Sequence, residues 1–486
     1  MTMSVSALYD ETIELLIDGE WCQGSDGASE VLENPATGEA LGTVPHASDA
    51  DLARALEAAQ RGFKVWKSMT AQARYVIMMK AAELIEARKQ QIGRLLTLEN
   101  GKPLAEAVPE VQFAADATRW YAEEGKRAYG RVVPARMPNV RQLVLKEPVG
   151  PVAAFAAWNF PASNVIRKIS GALGAGCSII IKPAEETPGT AVAMARCFQE
   201  AGLPAGVLNV VFGVPAHVSE VLLASPIPKA VTLTGSTAVG KVLQGLAART
   251  LKRCTMELGG HAPVIVHGDA DLDLATRTLV AFKFRNAGQV CTSPTRFFVH
   301  ESLYRPFVER FVELASVLKV GNGLEAGIQM GPMIARRRLA VMEELVGDAV
   351  AKGAELKLGG RRIGNQGHFF TPTVLADVPA DAAILSTEPF GPIAPITPFA
   401  DFDDVVARAN ALPYGLASFV FTRSGALAAR TEEALDAGLV GVNHMAVSTP
   451  ETPFGGVNES GYGSESGIEG LDAFLRTKFV TELAAL

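Results

Sequence analysis

A chain of 486 residues is too long for one core and implies two or three domains. With 48% hydrophobic and 20% charged residues, its composition is that of an ordinary soluble globular protein. A net charge of −7 without any basic run argues against a nucleic-acid partner, yet leaves room for a small anion gripped by local arginines. The cysteines (Cys22, Cys177, Cys197, Cys254, Cys291) are odd in number and lack Cys-x-x-Cys or His-rich spacing. That pattern fits a reduced compartment and disfavours a disulfide framework or structural zinc; no metal is expected. The Met1-to-Thr12 stretch is acidic without a signal-peptide core, and no apolar run has bilayer length, so the cytoplasm is the expected setting.

In chain order, Leu15 to Trp21 reads as a hairpin turned at Asp18-Gly19. Ser48 followed by Asp51 starts a helix with Leu52, Leu56, Ala59 and Phe63 on one face. Ala71 to Arg88, Ile92 to Leu98 and Val108 to Arg127 continue as helices, with Gly101-Lys102-Pro103 as a stop. From Val144 the pattern changes. Apolar runs 151–157, 178–181, 207–212 and 230–234 alternate with helical stretches 164–175, 190–201 and 216–223. Such alternation implies parallel β-α-β units and an open, doubly wound α/β sheet. Ligands bind beyond the carboxyl ends of such strands, where Trp158-Asn159, Lys182, Gly213 and Thr234-Gly235 fall.

A second α/β portion begins near Gly260. Its expected helices are Asp271 to Phe284, Ser302 to Leu318, and Pro332 to Lys352, the last opening on proline with Met342, Leu345 and Ala349 on one stripe. Strand signals follow at 369–374, 393–399 and 417–421. Arg127 to Lys146 and Phe474 to Leu486 fit neither core. The first contains a proline-interrupted hairpin, Arg131 to Pro134 with Gln142 to Lys146, that would leave exposed edges.

The stretch Phe282 to Arg296 draws attention. Cys291 follows a polar, glycine-containing turn, Asn286-Ala287-Gly288-Gln289, and precedes a Ser293-Pro294 break. A helix face (Leu274, Thr278, Ala281, Phe282) leads in, and a strand (Arg296 to His300) leads out. A thiol on a turn between rigid elements can be both exposed to a ligand and held in place, as a nucleophile must be. The blander reading is a buried core cysteine.

Other stretches stand beside it: Trp158-Asn159-Phe160-Pro161, Lys182-Pro183-Ala184-Glu185, Thr234-Gly235-Ser236-Thr237, Met256-Glu257-Leu258-Gly259-Gly260, Glu388-Pro389-Phe390-Gly391-Pro392 and Pro453-Phe454-Gly455-Gly456. Together they resemble the aldehyde dehydrogenase superfamily, nearly end to end from Leu16. The resemblance implies a Rossmann-type doubly wound NAD-binding domain (1–126 and 147–259, with 460–473). It also implies a second α/β catalytic domain (260–459) and a small β oligomerisation arm (127–146 and 474–486). A homodimer or homotetramer is the expected assembly.

The resemblance implies Cys291 as nucleophile and Glu257 as base. Asn159, with the Cys291 amide, would be the oxyanion donor; from the residues alone it could equally cap the helix before Pro161. Standing alone, Glu257 would more often be a surface strand end. No complete Gly-x-Gly-x-x-Gly follows a strand. Gly235 to Val242 nearly spells a phosphate loop but lacks the hydroxyl at Val242. The family instead faces the dinucleotide with the helix start at Gly235 and Ser236. Trp158, Leu258, Glu388 and Phe390 resemble further cofactor contacts. Lys182 and Glu185 resemble the adenosine-ribose pair; a carboxylate there repels a 2′-phosphate, so NAD is expected over NADP.

Arg167, Arg285 and Ser448 match the carboxylate-binding residues of succinate-semialdehyde dehydrogenases, and Lys283 to Phe297 also looks like the 2,5-dioxopentanoate dehydrogenases. The alternative is a pair of structural arginines bridging helices. Ser293 stands where some succinate-semialdehyde enzymes carry a second cysteine, so a redox switch through that pair is excluded. The expected function is NAD-dependent oxidation of a semialdehyde, succinate semialdehyde first, through a cysteine thioester. The alternatives are a 2,5-dioxopentanoate or broader aliphatic aldehyde dehydrogenase, a Cys-dependent thioesterase and a P-loop nucleotidase.

Overall fold

A computed structural model describes residues 9–483. Met1 to Leu8 and the last three residues of the C-terminal arm lie outside the described residues. The hairpin is present as β1 (Leu15–Ile17) and β2 (Glu20–Cys22), with Asp18 and Gly19 at φ 56° and 83°, a turn Asp-Gly adopts at little cost. β3 (Ser29–Glu33) and β4 (Ala40–Pro45) pair by themselves. At the start of α1 (Asp49–Ser68), Ser48 Oγ accepts from the Asp51 amide and the Asp51 carboxylate accepts from the Ser48 amide. Such a capping box contributes about 1 kcal/mol. α2 (Ala71–Ala87), α3 (Lys89–Asn100) and α4 (Leu104–Gly125) follow, and β5 (Arg131–Val133) pairs with β6 (Val140–Pro148).

Strands and helices then alternate as β7 (Val152–Phe155), α5 (Pro161–Ala175), β8 (Ile179–Lys182), α6 (Pro188–Glu200), β9 (Leu208–Val210), α7 (Pro215–Ala224), β10 (Ala230–Thr234), α8 (Thr237–Ala248) and β11 (Arg253–Glu257). They form a sheet in the order β2-β1-β9-β8-β7-β10-β11, parallel from β9 to β11. The chain winds from β7 out to β9 and returns with β10 on the other side of β7. The order reverses between β7 and β10, so the loops after those strands, carrying Asn159 and Gly235, flank the switch point where such sheets bind ligands. β7 to β10 are wholly buried, the pattern of a parallel sheet covered on both faces.

The second unit comprises β12 (Ala262–Val266), α9 (Leu272–Phe284), β13 (Pro294–His300), α10 (Glu301–Ser316), α11 (Arg336–Ala351), β14 (Glu355–Leu358), β15 (Thr373–Ala376), β16 (Ile393–Phe399), α12 (Phe402–Ala409), β17 (Tyr414–Gly415), β18 (Ala417–Phe421), α13 (Gly425–Ala434) and β19 (Leu439–Val442). Its sheet runs β14-β15-β16-β13-β12-β18-β19, and each large sheet has its own apolar core. β20 (Val457–Asn458) pairs with β17, and β21 (Gly461–Tyr462) returns to the β11 edge of the first sheet. α14 (Gly467–Asp472) leads to β22 (Leu475–Leu483), which runs antiparallel along β6 and completes the three-stranded sheet β22-β6-β5. Among the described residues, no helix is long and apolar enough to cross a membrane.

Two helix expectations are corrected. The helix expected from Pro332 begins at Arg336, because Pro332 belongs to a preceding loop whose carbonyl accepts from Gln289 Nε2. Its buried stripe of Met342, Leu345 and Ala349 is as expected. On α9 the expected inner face is the outer one: Leu274 is 46% exposed, whereas Ala275, Leu279, Val280, Lys283 and Phe284 are buried. Both stripes have helical spacing, and the second wins by bringing Phe284 against Phe311, 6.2 Å between ring centres.

Candidate active site

α9 gives way to a turn in which Asn286, Ala287 and Gly288 all have positive φ, at 47°, 52° and 72°. A left-handed alanine costs about 1–2 kcal/mol, so such a turn persists only when its surroundings hold it. Here Asn286 Nδ2 donates to the Asn159 carbonyl at 2.9 Å and the Gln289 carbonyl at 3.2 Å. The Asn286 amide donates to the Glu106 carboxylate at 2.9 Å, and Gln289 Oε1 accepts from the Ile334 amide at 2.9 Å. A side chain on Gly288 would meet the Gly391 carbonyl at 2.2 Å, so only glycine fits. Cys291 emerges from this turn half-buried, on a support drawn from both units.

Glu257 ends β11 and is 2% exposed, so the surface reading is wrong. Its carboxylate lies close enough to the Cys291 thiol for each to shift the other's pKa, while Oε1 is buried without a partner. Burial, and then the Glu465 carboxylate, raise Glu257 to a pKa of about 7, against the pull of Lys168 and Arg167. Burial and the nearby Glu257 push the Cys291 thiol well above its ordinary range. A neutral thiol therefore faces a carboxyl that changes charge near neutrality, a pair suited to proton transfer. Behind it Lys168, fully buried, donates to Thr234 Oγ1 at 2.6 Å and pairs with Glu465.

Asn159 does not cap α5. The cap position is Phe160, without a side-chain hydrogen bond, and Glu110 does the work from α4: its Oε1 accepts from the Ala162 and Ser163 amides at 2.9 and 3.2 Å. Lys102 pairs with Glu110 at 2.6 Å and donates to the Asn159 carbonyl at 2.8 Å. Asn159 Oδ1 accepts from Asn164 Nδ2 at 3.1 Å, which turns the amide N–H₂ toward the Cys291 loop, 3.3 Å from the Gln289 carbonyl. A fixed donor beside the thiol can stabilise an oxyanion.

The cofactor candidates fall into two groups. At one end Lys182, the last residue of β8, pairs with Glu185, both largely buried. A cavity of about 930 Å³ opens there, lined by Glu185, Glu186, Val214, Pro215, Ile334 and Arg337 among others, large enough for a nucleoside. At the other end Trp158 meets Phe390 edge-on across the two units, 5.6 Å between ring centres. Glu388 Oε1 accepts from the Gly260 amide at 3.4 Å, and a side chain on Gly259 would lie 2.9 Å from its Oε2. Between the groups, Ser236 caps α8 and the Gly235 amide donates to the Glu257 carbonyl. Leu258 packs where a side chain on Gly240 would stand. The near P-loop is not one: Gly240 and Lys241 lie inside α8, and Lys241 pairs with Glu459 at 2.7 Å.

Arg167 and Ser448 are brought together, Nη2 donating to Oγ at 2.5 Å. The Arg167 guanidinium lies between the rings of Phe454 (4.4 Å) and Phe113 (5.0 Å), and its buried Nε has no partner. Arg285 sits over Phe160 at 5.0 Å, next to Asn159 in sequence. Sequence reasoning missed Lys102, Glu110, Lys168, Asn286, Gln289 and Glu465. Only Asn286 and Gln289 carried a signal, as the polar flank of the Cys291 turn; Lys102 and Glu110 pair eight residues apart but reach the site through Asn159 and Ala162, more than fifty residues away, and Lys168 and Glu465 are partnered across tens to hundreds of residues.

The aldehyde dehydrogenase family model matches residues 21–480. The chain is 50% identical over 471 residues to a 4-(hydroxymethyl)benzenesulfonate dehydrogenase of Comamonas testosteroni, covering 97% of this chain and 98% of that protein. It is 41% identical over 480 residues to the succinate-semialdehyde dehydrogenase [NADP(+)] of Escherichia coli K12, covering 99% of each. Among solved structures, a succinate-semialdehyde dehydrogenase from Burkholderia pseudomallei superposes with a TM-score of 0.97 at 42% identity over 100% of both chains. With matches of that length and identity, the chain belongs to the aldehyde dehydrogenase family and is an oxidoreductase acting on aldehydes.

Proposed function

We propose that this enzyme oxidises a short aldehyde carrying a distal carboxylate, succinate semialdehyde first, with NAD as cofactor. The observation that carries the substrate class is Arg167: buried between two phenylalanine rings, bonded to Ser448, with its Nε unpaired. A guanidinium in such surroundings favours an anion with matching oxygens. Arg285, which lies over Phe160, would be the second cation of the pocket.

In this reading Glu257 takes the Cys291 proton and the thiolate adds to the aldehyde carbon. Asn159 Nδ2 and the Cys291 amide hold the oxyanion. A bound nicotinamide supplies the hydride acceptor. Lys182 and Glu185 would hold the adenosine ribose, the Ser236 end of α8 the pyrophosphate, and Glu388 with Trp158, Leu258 and Phe390 the nicotinamide end. The buried pair Lys182–Glu185 beside a nucleoside-sized cavity fits such a ligand. Collapse of the Cys291 adduct leaves a thioester, and Glu257, deprotonated again, draws a proton from the water that hydrolyses it.

The reading assigns the dinucleotide to 1–126 and 147–259 with 460–473, catalysis to 260–459, and pairing of subunits to the arm 127–146 and 474–486. Five free thiols suit the cytoplasm.

A second reading has its own support: the relative at 50% identity is named for an arylsulfonate, and the same arginine would accept a sulfonate. Steady-state formation of reduced dinucleotide from NAD or NADP separates the readings. The aldehydes are succinate semialdehyde, 2,5-dioxopentanoate, glutarate semialdehyde, 4-formylbenzenesulfonate and butanal. Carboxylates exceeding butanal at least tenfold in kcat/KM support the first reading, as one buried charge-assisted contact supplies about that factor. The sulfonate leading supports the second. Butanal matching both would make Arg167 and Arg285 structural.

A further inference from the structure

Glu99 has no part in the chemistry above, yet it is wholly buried near the end of α3 and stands in the wall of the cavity that Glu185 and Glu186 line. Both of its oxygens are filled by donors. Oε1 accepts from the Gly189 amide at 2.5 Å and the Tyr9 hydroxyl at 2.6 Å. Oε2 accepts from the Thr190 amide at 3.1 Å and the Thr190 hydroxyl at 2.9 Å. α6 has no cap of its own. Thr187, at the cap position, makes no side-chain hydrogen bond, and its buried hydroxyl has no partner. The first amides of a helix need acceptors, and a carboxylate there also meets the positive end of the helix. Glu99 supplies across ninety residues what Thr187 does not. Gly189 makes the approach possible: a side chain there would meet the Tyr9 hydroxyl at 2.2 Å and Glu99 Oε1 at 2.8 Å. Glu11 and Glu14 accept from Arg196, on α6, at 2.9 and 3.1 Å, which anchors the segment bearing Tyr9 along the same helix.

We propose that Glu99, with Tyr9, is a positioning residue for the adenosine end of the dinucleotide, fixing the first turn of α6 and, through it, the Lys182–Glu185 turn. The inference rests on the dinucleotide reading of Lys182 and Glu185 given above. The connection is short. β8 ends at Lys182, the Thr187 amide donates to the Ala184 carbonyl at 3.2 Å, and α6 begins at Pro188. Only 183–187 lie between, so a displaced first turn of α6 moves Glu185 against Lys182. The next residue of α3 serves the other end of the cleft: Asn100 Nδ2 donates to the Trp158 carbonyl at 3.0 Å. Burial raises Glu99 to a pKa of about 7 against its donors, so the carboxylate prevails above that pH.

The test is calorimetric titration of the full-length enzyme with NADH, and displacement of NADH by AMP, which carries the adenosine end alone. Both are run well above neutral pH, beside steady-state kinetics. Glu99→Gln turns an amide N–H₂ toward the donors and is expected to weaken NADH and AMP by the same factor, about tenfold, as when a buried charge-assisted hydrogen bond is broken. The dinucleotide KM rises with it while kcat at saturating dinucleotide does not fall, a split that general loosening of the fold would not produce. Asn100→Ala, in the same turn of α3, leaves AMP affinity unchanged. Tyr9→Phe removes one donor, keeps the cap, and is expected to weaken AMP by a smaller factor; it replaces Glu99→Gln should that variant not fold. Unchanged AMP affinity in Glu99→Gln, or in Tyr9→Phe where it stands in, overturns the proposal, as does an equal loss in Asn100→Ala. A wild-type enzyme that binds no NADH, or from which AMP displaces none, overturns the adenosine reading of Lys182 and Glu185 instead.

Discussion

Glu257 and Cys291 show what a single environment does to two ordinary side chains. A carboxyl raised to about 7 is mostly protonated below that pH and mostly ionised above it, and only the ionised form accepts a proton from water. Thioester hydrolysis is therefore expected to rise with pH through about 7 and level off above it, and rapid-mixing measurements of the second step across that range check it. Glu257→Gln keeps the shape and removes the base. It should slow turnover about 10²–10⁴-fold and abolish the first-turnover burst of reduced dinucleotide, since Glu257 also takes the Cys291 proton. A variant that keeps a full-rate burst would confine Glu257 to the hydrolysis step. Cys291, Glu257 and Asn159 could be singled out as candidates because they lie in short, distinctive stretches. Their state was not: the charge on Glu257 is set largely by burial and by Glu465, more than two hundred residues away.

At the level of elements, the site depends on how helix ends meet the Cys291 turn. The α5 N-terminus is capped by Glu110, which pairs with Lys102, and both side chains are 1% exposed. Lys102→Met strands a buried carboxylate and withdraws a donor from the Asn159 carbonyl. A loss of about 3–5 kcal/mol in stability is expected, with reduced activity, measured by urea denaturation and initial rates. A loss under 1 kcal/mol would mean that water reaches Glu110. The turn itself offers a second check. Gly288→Ala forces a methyl onto the Gly391 carbonyl at φ +72° and should cost about 2 kcal/mol or more and most of the activity. Periodicity recovered these helices, including the Ser48 capping box. It failed where two stripes competed, as on α9, and where a proline preceded a loop, as at Pro332. In both places the outcome was decided by distant partners, Phe311 for one and Gln289 for the other.

At the scale of the whole molecule, the arm stands outside both cores except at its C-terminal root, where Phe474 and Leu475, expected to fit neither core, are buried in the first because they pack against α5. β22 pairs with β6 over nine residues, from Leu475 with Pro148 to Leu483 with Val140, and β5 covers only part of the other side. The sheet keeps open edges and carries Val132 at 74%, Phe479 at 57% and Leu483 at 68% exposure. Apolar residues on unpaired strands normally invite association, and natural proteins cover or charge such edges when they do not use them. That the C-terminal strand joins the proline-interrupted hairpin was expected from resemblance, because two short stretches so far apart in sequence carry no local sign of pairing. If the arm joins subunits, Phe479→Glu places a charge in the interface and should lower the sedimenting mass by half or more. The melting temperature of each core should move little, since Phe479 belongs to neither apolar cluster. A wild-type enzyme that sediments as a monomer would remove the arm's role. A Phe479→Glu variant that keeps its full mass would move the contact to Val132 on the opposite face, where β5 pairs it with Leu143.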